Sequence, residues 1–289
     1  MRHRLDFHAA PCRVCGATRR ILVAHLPQTR VYQCLRCWLV VCDPLPHLES
    51  FSSGPSAIPP KESYTQAICN LDSRTLARYR ELARGRYDLY RASLRRDTFR
   101  VLEIGCGAAG LADGLQRLGV EYRGIDLDHR PIEAARARGI ENVETANFTT
   151  LPLSAKRYDV VFAGQVLEHV VDPRAFVDRI HEWLAPGGVI HLALPHHLAL
   201  LGVISMLVHP AHRTPRFGGI EYPHHSLSYY RRTLTHLLRQ RFDARVFTVS
   251  PDHQLWGQAV VPDARRRAYY LASRLVGMRS VLVGYGTAR

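Results

Sequence analysis

Short apolar runs alternate along this chain with longer stretches in which apolar residues recur every three or four positions. The runs predict strands over 100–104, 122–126, 142–146, 158–163, 189–194, 244–249 and 280–283. The helical periodicity covers 72–96, 110–118, 131–138, 172–184, 229–240 and 264–276. Gly85 is expected to break the first of these. Pro131 suits the first turn of its helix. Asp172-Pro173 opens the next helix and Pro186-Gly187-Gly188 closes it. Strands alternating with helices call for right-handed crossovers and a sheet that is mostly parallel. The expected class is therefore α/β, a seven-stranded sheet with helices on both faces.

The first 45 residues do not follow this rhythm. They hold five of the seven cysteines. Residues 44–63 are rich in Pro and Ser, which suits a surface linker. The expected division is a cysteine module at 1–45, a linker at 46–70 and the α/β domain at 71–289. Cys12 and Cys15 form one Cys-x-x-Cys, and Cys34 and Cys37 form another eighteen residues on. That spacing suits a four-thiolate zinc site of ribbon or knuckle type. Two tight turns each present a thiolate pair, and the ion ties together a segment too short to build its own core. Four sulfur ligands leave no open position, so the metal's expected role is structural. Reduced free thiols and a redox pair are the alternatives. Cys42, Cys69 and Cys106 read as ordinary buried or half-buried thiols.

Composition narrows the classes. With 289 residues and 46% hydrophobic residues, the chain can bury a sizeable core. No apolar run approaches the roughly 18 residues that a membrane span needs; the longest, 198–208, suits a buried or lid helix. The N-terminus has arginines with no apolar segment after them, so a cytoplasmic location is expected. The net charge is +14, yet of 39 basic residues only Lys61 and Lys156 are lysines. The arginines are scattered, which a compositional bias would produce. A nucleic-acid surface is the alternative, though no basic cluster is interleaved with aromatics.

The chemistry begins at Val101-Leu-Glu-Ile-Gly-Cys-Gly-Ala-Ala-Gly110. Gly105 and Gly107 permit a tight turn and close approach of a ligand, and Gly110 permits close packing of the helix that follows. A second strand ends on Asp126, sixteen residues past Gly110. Such glycine spacing also fits dinucleotide enzymes, but the Glu103 carboxylate would repel a pyrophosphate. It suits the ammonium or sulfonium region of S-adenosylmethionine. Further blocks have no dinucleotide counterpart: Tyr158-Asp-Val-Val-Phe162, Val166-Leu-Glu-His169 and Leu184-Ala-Pro-Gly-Gly188.

With these blocks in this order, the region 99–249 resembles class I S-adenosylmethionine-dependent methyltransferases, whose fold is Rossmann-like. A cysteine module in front is similar to one subgroup, whose members often act on small molecules such as deoxysugars and other natural-product intermediates. The resemblance implies that Glu103, Gly105 and Gly107 line the methionine end of the cofactor. It implies that Asp126 accepts from the ribose hydroxyls, that Asn147 stands where an Asp commonly meets the adenine amino group, and that Phe148 packs on the adenine. Gly164 and Gln165 would close the fourth strand beneath the sulfonium. Asn147 as a turn residue is the alternative there.

Methyl transfer from a sulfonium needs a placed nucleophile, exclusion of water and, for a protonated acceptor, a base. Histidine is the natural base near neutral pH. His169 follows the fourth strand, and His196 and His197 follow the fifth. His224 and His225 lie in Glu221-Tyr-Pro-His-His-Ser226. The resemblance favours His225 as base, with His169 and His224 beside it; His224 stands where related sugar methyltransferases have Glu. His169 also has a structural reading. The set His196, His197, His209, His212, His224 and His225 offers a second metal site as a minor reading. Residues 195–226 are long for such a connection and are expected to form a substrate lid. The leading expectation is a small-molecule methyltransferase using S-adenosyl-L-methionine, with zinc (Zn2+) held for structure. An RNA methyltransferase and a non-catalytic cofactor-binding subunit are the alternatives.

Overall fold

The computed structural model describes residues 5–6, 10–45, 62–152, 157–200, 203–204, 216–249, 264–276 and 278–289. Four short strands come first: β1 (Leu5–Asp6), β2 (Arg20–His25), β3 (Arg30–Cys34) and β4 (Val40–Asp43). Each pairs antiparallel with the next. Two helices follow, α1 (Glu62–Cys69) and α2 (Ser73–Leu94). The linker expected over 46–70 thus ends in a helix, while 46–61 lie outside the described residues.

Helix α2 runs unbroken through Gly85. Asp72 caps its start by accepting from the Thr75 N–H at 2.7 Å, and its buried face presents Thr75, Ala83, Arg86 and Tyr90. Gly85 sits on the exposed face. A glycine there costs about 1 kcal/mol of helix propensity, which the buried face offsets.

The alternating part follows: β5 (Arg100–Ile104), α3 (Ala112–Gln116), β6 (Glu121–Asp126), α4 (His129–Ala137), β7 (Val143–Thr145), β8 (Tyr158–Gly164), α5 (Pro173–Trp183) and β9 (Leu184–Pro195). Next come the short strands β10 (Arg216–Phe217), β11 (Ile220–Glu221) and β12 (Leu227–Ser228). The described chain closes with α6 (Arg231–Leu238), β13 (Phe242–Val249), α7 (Ala264–Leu275) and β14 (Val281–Ala288). Seven strands form the main sheet in the order β13-β14-β9-β8-β5-β6-β7. Strands β5 to β9 are mutually parallel. Strand β14 is antiparallel to both its neighbours, β13 and β9.

The central strands are buried on both faces, as a covered parallel sheet requires. Val101, Val160 and Val189 pack in one cluster with Tyr90, Phe99 and Leu115. Leu102, Val161 and Ile190 pack in the other with Phe176, Ile180 and Leu234. This second cluster also takes in Val14, Cys34, Cys37 and Leu39 of the N-terminal segment.

The N-terminal sheet has a fifth strand that the hydropathy pattern did not indicate. Strand β12 pairs antiparallel with β4, Leu227 opposite Val41 and Ser228 opposite Val40. Two residues from the connection after β9 therefore extend the cysteine module. Of the lid expected over 195–226, the described parts include the β10–β11 hairpin and a helical pair at Val203–Ile204. Residues 201–202 and 205–215, with His209 and His212, lie outside the described residues. Among the described residues no helix is long and apolar enough to cross a membrane.

Candidate active site

The glycine loop grows directly from β5. Gly105 has φ +69° and donates its N–H to the Ile125 carbonyl at 2.8 Å. A Cβ on Gly105 would lie 2.4 Å from Cγ2 of Val166, so only glycine lets the loop and the turn after β8 approach. Gly107, at φ +54°, donates its N–H to Oδ2 of Asp126 at 2.8 Å. The other oxygen, Oδ1, accepts from the Asp128 N–H at 3.0 Å. The Asp126 carboxylate is thus pinned at the end of β6, with one lone pair per oxygen left for hydroxyl donors. Burial pushes its pKa up, and the two backbone N–H groups pull against that.

Glu103 lies beneath the loop rather than on its surface. The Tyr122 hydroxyl donates to its Oε2 at 2.6 Å. Burial pushes its pKa up to about 7; the Arg86 guanidinium and the Tyr122 bond act in the opposite direction. Arg86 is itself buried, its guanidinium 3.8 Å from the centre of the Phe162 ring. A cofactor ammonium near Glu103 would favour the ionised form.

Helix α1 covers the loop. A Cβ on Gly107 would meet Cγ2 of Ile68 at 2.8 Å. Arg130 at the start of α4 holds α1 in place, donating to both oxygens of Glu62 at 2.8 and 2.7 Å while also pairing with Asp128 at 2.7 Å.

The remaining cofactor candidates divide. The Asn147 side-chain oxygen accepts from the Thr149 N–H at 3.0 Å and hydroxyl at 2.8 Å, which makes it a turn residue whatever else it binds. Phe148 is buried and stands edge-on to Phe176, ring centres 4.8 Å apart. It faces the core beside α5. Gly164 ends β8. Gln165 takes a left-handed φ of +59°, its N–H bonded to the Ala193 carbonyl at 2.7 Å. Its buried Oε1 has no hydrogen-bond partner among the described residues, so it can accept from a ligand donor.

On the acceptor side, a 3-10 turn over Leu167–His169 follows β8. His169 Nδ1 lies 2.8 Å from the His224 carbonyl; the carbonyl can only accept, so Nδ1 carries the proton and Nε2 the lone pair. The His169 and His225 rings stand 4.9 Å apart at 68°. Burial, aided by the neighbouring His225, pushes the His169 pKa down to about 3. The structure thus brings His169 and His225 together, and the carbonyl of His224 is bonded to His169. The backbone of His225 is fixed by paired bonds with Glu221, at 2.8 and 3.1 Å.

Glu168 is the residue that the sequence reading passed over. It is 2% exposed, neither carboxylate oxygen has a side-chain hydrogen-bond partner among the described residues, and burial pushes its pKa up to about 8. One ligand atom each from Glu168, His169 and His225 lies within 4.8 Å of the others, a set able to hold a proton or a cation. Its only signal in the sequence was an acid next to His169. His196 and His197 do not join this set. Nδ1 of the first lies 3.2 Å from the Arg279 carbonyl and that of the second 3.0 Å from the Ser228 hydroxyl, and among the described residues neither belongs to a group of three or more possible metal ligands.

The cysteine module closes on itself. Cys12 and Cys37 bring their sulfurs to 3.5 Å, as do Cys15 and Cys34. All four sulfurs lie within 4.8 Å of one another. Bonds from the Gly16 N–H to the Cys12 carbonyl (2.8 Å) and from the Trp38 N–H to the Cys34 carbonyl (3.0 Å) form the two turns. A tetrahedral zinc with sulfurs at about 2.3 Å needs them about 3.8 Å apart, which the cluster meets with small adjustment. Hydrogen bonds from Cys12 and Cys37 lower the Cys34 pKa, and the same bonding to Cys34 raises that of Cys12.

The profile of the methyltransferase domain matches residues 72–247. The chain belongs to this methyltransferase family. Its domain is of the class I S-adenosylmethionine-dependent type. Among curated relatives, the ubiquinone biosynthesis O-methyltransferase of Shewanella sp. (strain ANA-3) is 32% identical over 97 residues, covering 32% of this chain and 41% of the relative. The protein of that name from Leptothrix cholodnii is 31% identical over 137 residues, covering 42% of this chain and 58% of the relative. The matches therefore span about half the length of these relatives. The plantazolicin methyltransferase BpumL, solved with S-adenosylhomocysteine, superposes with a TM-score of 0.54 at 15% identity, over 80% of this chain and 91% of that one. A complex of the Haloferax volcanii Trm112 methyltransferase activator with a methyltransferase gives 0.52 at 15%, over 80% and 99%. Both establish the fold of this methyltransferase.

Proposed function

We propose that this methyltransferase transfers a methyl group from S-adenosylmethionine to an ionisable hydroxyl of a small-molecule acceptor, natural-product or sugar-like, with His225 as the base. S-adenosylmethionine supplies the electrophilic methyl group and leaves as the neutral thioether. Asp126 holds the ribose hydroxyls, and the Glu103 carboxylate favours the positive methionine end. Gly105 and Gly107 let the backbone approach. His225 takes the acceptor proton on its imidazole as the carbon–oxygen bond forms. His169, neutral and tethered through Nδ1, keeps that imidazole in place. The names of the curated relatives support an oxygen acceptor. The four cysteines hold a structural zinc ion.

The observation that carries this reading is the His169–His225 pair beyond the carboxyl end of β8, on the turn that touches the glycine loop through Val166. The test is a screen of phenolic acids, hydroxylated polyketides, nucleotide sugars and total RNA for methylated product by mass spectrometry. The reading expects product from a small molecule and its loss in His225→Ala. Product from RNA alone would overturn it.

A further inference from the structure

The cysteine module and the acceptor-side histidines are far apart in sequence, yet the module is hydrogen-bonded to the segments that carry them. Strand β4 lies three residues past Cys37, and it pairs with β12, which starts two residues after His225. The Cys42 N–H donates to the Ser226 carbonyl at 3.0 Å. The buried Thr233 hydroxyl donates to the carbonyl of Cys37 itself at 2.8 Å and accepts from the Tyr230 N–H at 3.3 Å, fixing the start of α6. The adjacent Tyr229, fully buried, donates its hydroxyl to the Leu167 carbonyl at 3.2 Å. That carbonyl belongs to the turn carrying Glu168 and His169. A second bond from the module, Arg13 Nη1 to the Val171 carbonyl at 3.2 Å, lands just beyond the same turn.

The cofactor loop is anchored differently. Its N–H groups bond to Ile125 and Asp126 of β6, and its cover, α1, is tied to α4 through Arg130. The two halves of the active site therefore hang on different hydrogen bonds, although they share one core cluster.

We propose that the cysteine module is the positioning element of the acceptor half: closing the four thiolates on zinc sets the 37–42 segment, which through Thr233 and the β4–β12 pairing sets where His225 stands against His169. Thr233 is a positioning residue in this scheme. Loss of the ion releases the 221–230 segment and separates the histidine pair, while the glycine loop still binds cofactor. The metal step rests on the zinc reading proposed above, and the Thr233 step on the hydrogen bonds of Thr233 and Tyr229 alone.

The test uses the full chain and needs no acceptor. Zinc is measured by elemental analysis, then removed with a mercurial and a chelator. Amide exchange is followed over 221–230 and over 101–126, and S-adenosylhomocysteine is titrated by calorimetry. Stripping should raise exchange over 221–230 by about tenfold or more, leaving 101–126 and the S-adenosylhomocysteine affinity within about twofold. Thr233→Val should keep its metal yet raise exchange over 221–230 and shift the imidazole nitrogen resonances of His169 and His225; Thr233→Ser should restore both. Wild-type exchange in the stripped protein, or equal loss of cofactor binding, overturns the proposal, as does a Thr233→Val protein that matches wild type. A protein isolated without zinc would refute the metal reading, and the Thr233 pair would still decide the coupling.

Discussion

His169 donates its Nδ1–H to the carbonyl of His224 across 2.8 Å, joining the turn after β8 to the segment before β12. One bond fixes the tautomer of the first histidine and the position of the backbone next to His225. A His225→Ala protein should therefore bind S-adenosylhomocysteine like wild type and lose methyl transfer by about 10²-fold or more, the scale of a removed general base. His169→Ala should also lose activity by misplacing His225. Single-turnover rates with an acceptor from the screen check both, and a His225→Ala rate near wild type would remove it from the mechanism.

Stability should fall on both sides of mildly acid pH. Burial raises Glu168 to about 8 and Glu103 to about 7. Folded pKa values above the unfolded ones give a contribution complete below about pH 4.5 and lost as pH rises through 7 to 8. His169, lowered to about 3, works in the opposite sense, its contribution being lost as pH falls from about 6.5 toward 3. Thermal midpoints of the cofactor-free protein should thus drop between pH 6 and pH 8.5. Glu168→Gln, which mimics the protonated acid, should flatten that drop, and an unchanged slope would contradict the assignment.

Cofactor affinity should depend on Asp126 beyond its charge. Its side chain fixes the Gly107 N–H as well as the Asp128 N–H. Asp126→Ala should weaken S-adenosylhomocysteine binding by about ten- to a hundredfold, the scale of one or two buried hydrogen bonds. Gly105→Val should abolish it, because a Cβ at 2.4 Å from Val166 drives the loop off its turn. Calorimetry reads both.

Breaking the α1 staple should change kinetics more than stability. Arg130 and Glu62 are solvent-exposed partners, and exposed ion pairs contribute little to folding. Arg130→Ala should leave the thermal midpoint within about 2 °C of wild type while speeding S-adenosylhomocysteine release, measured by stopped-flow displacement. An unchanged release rate would mean that α1 does not gate the pocket.

Replacing Cys34 by Ser should lower bound zinc and the thermal midpoint together, since an ion held by the four sulfurs would bridge two turns that share a core with Leu234 and Leu237. Equal zinc in both proteins would exclude the four-sulfur site.

Much of this was legible because local pattern and final environment agree. The run into Gly105 is buried on both faces and turns where the glycines stand, so hydropathy and turn chemistry give the same answer. What could not be read depends on distant partners. Strand β12 is two residues long and exists only because β4 offers it an edge. Strand β14 runs through Gly284 to Ala288, well past its apolar start, because neighbours on both sides supply its hydrogen bonds. Gly85 looked like a break because its residue type is visible in sequence and its exposed position is not. Glu168 was overlooked for a related reason: an acid in a strand-to-helix turn usually faces water, and here packing alone buries it.

The position of β14 has a consequence for how the molecule is assembled. It follows β13 in the chain yet lies between β13 and β9, so β13 has no edge to join until β14 has been made. The module's own sheet waits likewise for β12, nearly two hundred residues after β4. The main sheet cannot grow in the order of synthesis, and the module's sheet stays one strand short until β12 emerges. A nascent chain therefore carries unfinished sheet edges until its later strands emerge, and the contacts that complete both sheets are also those of longest sequence separation, the slowest kind to form.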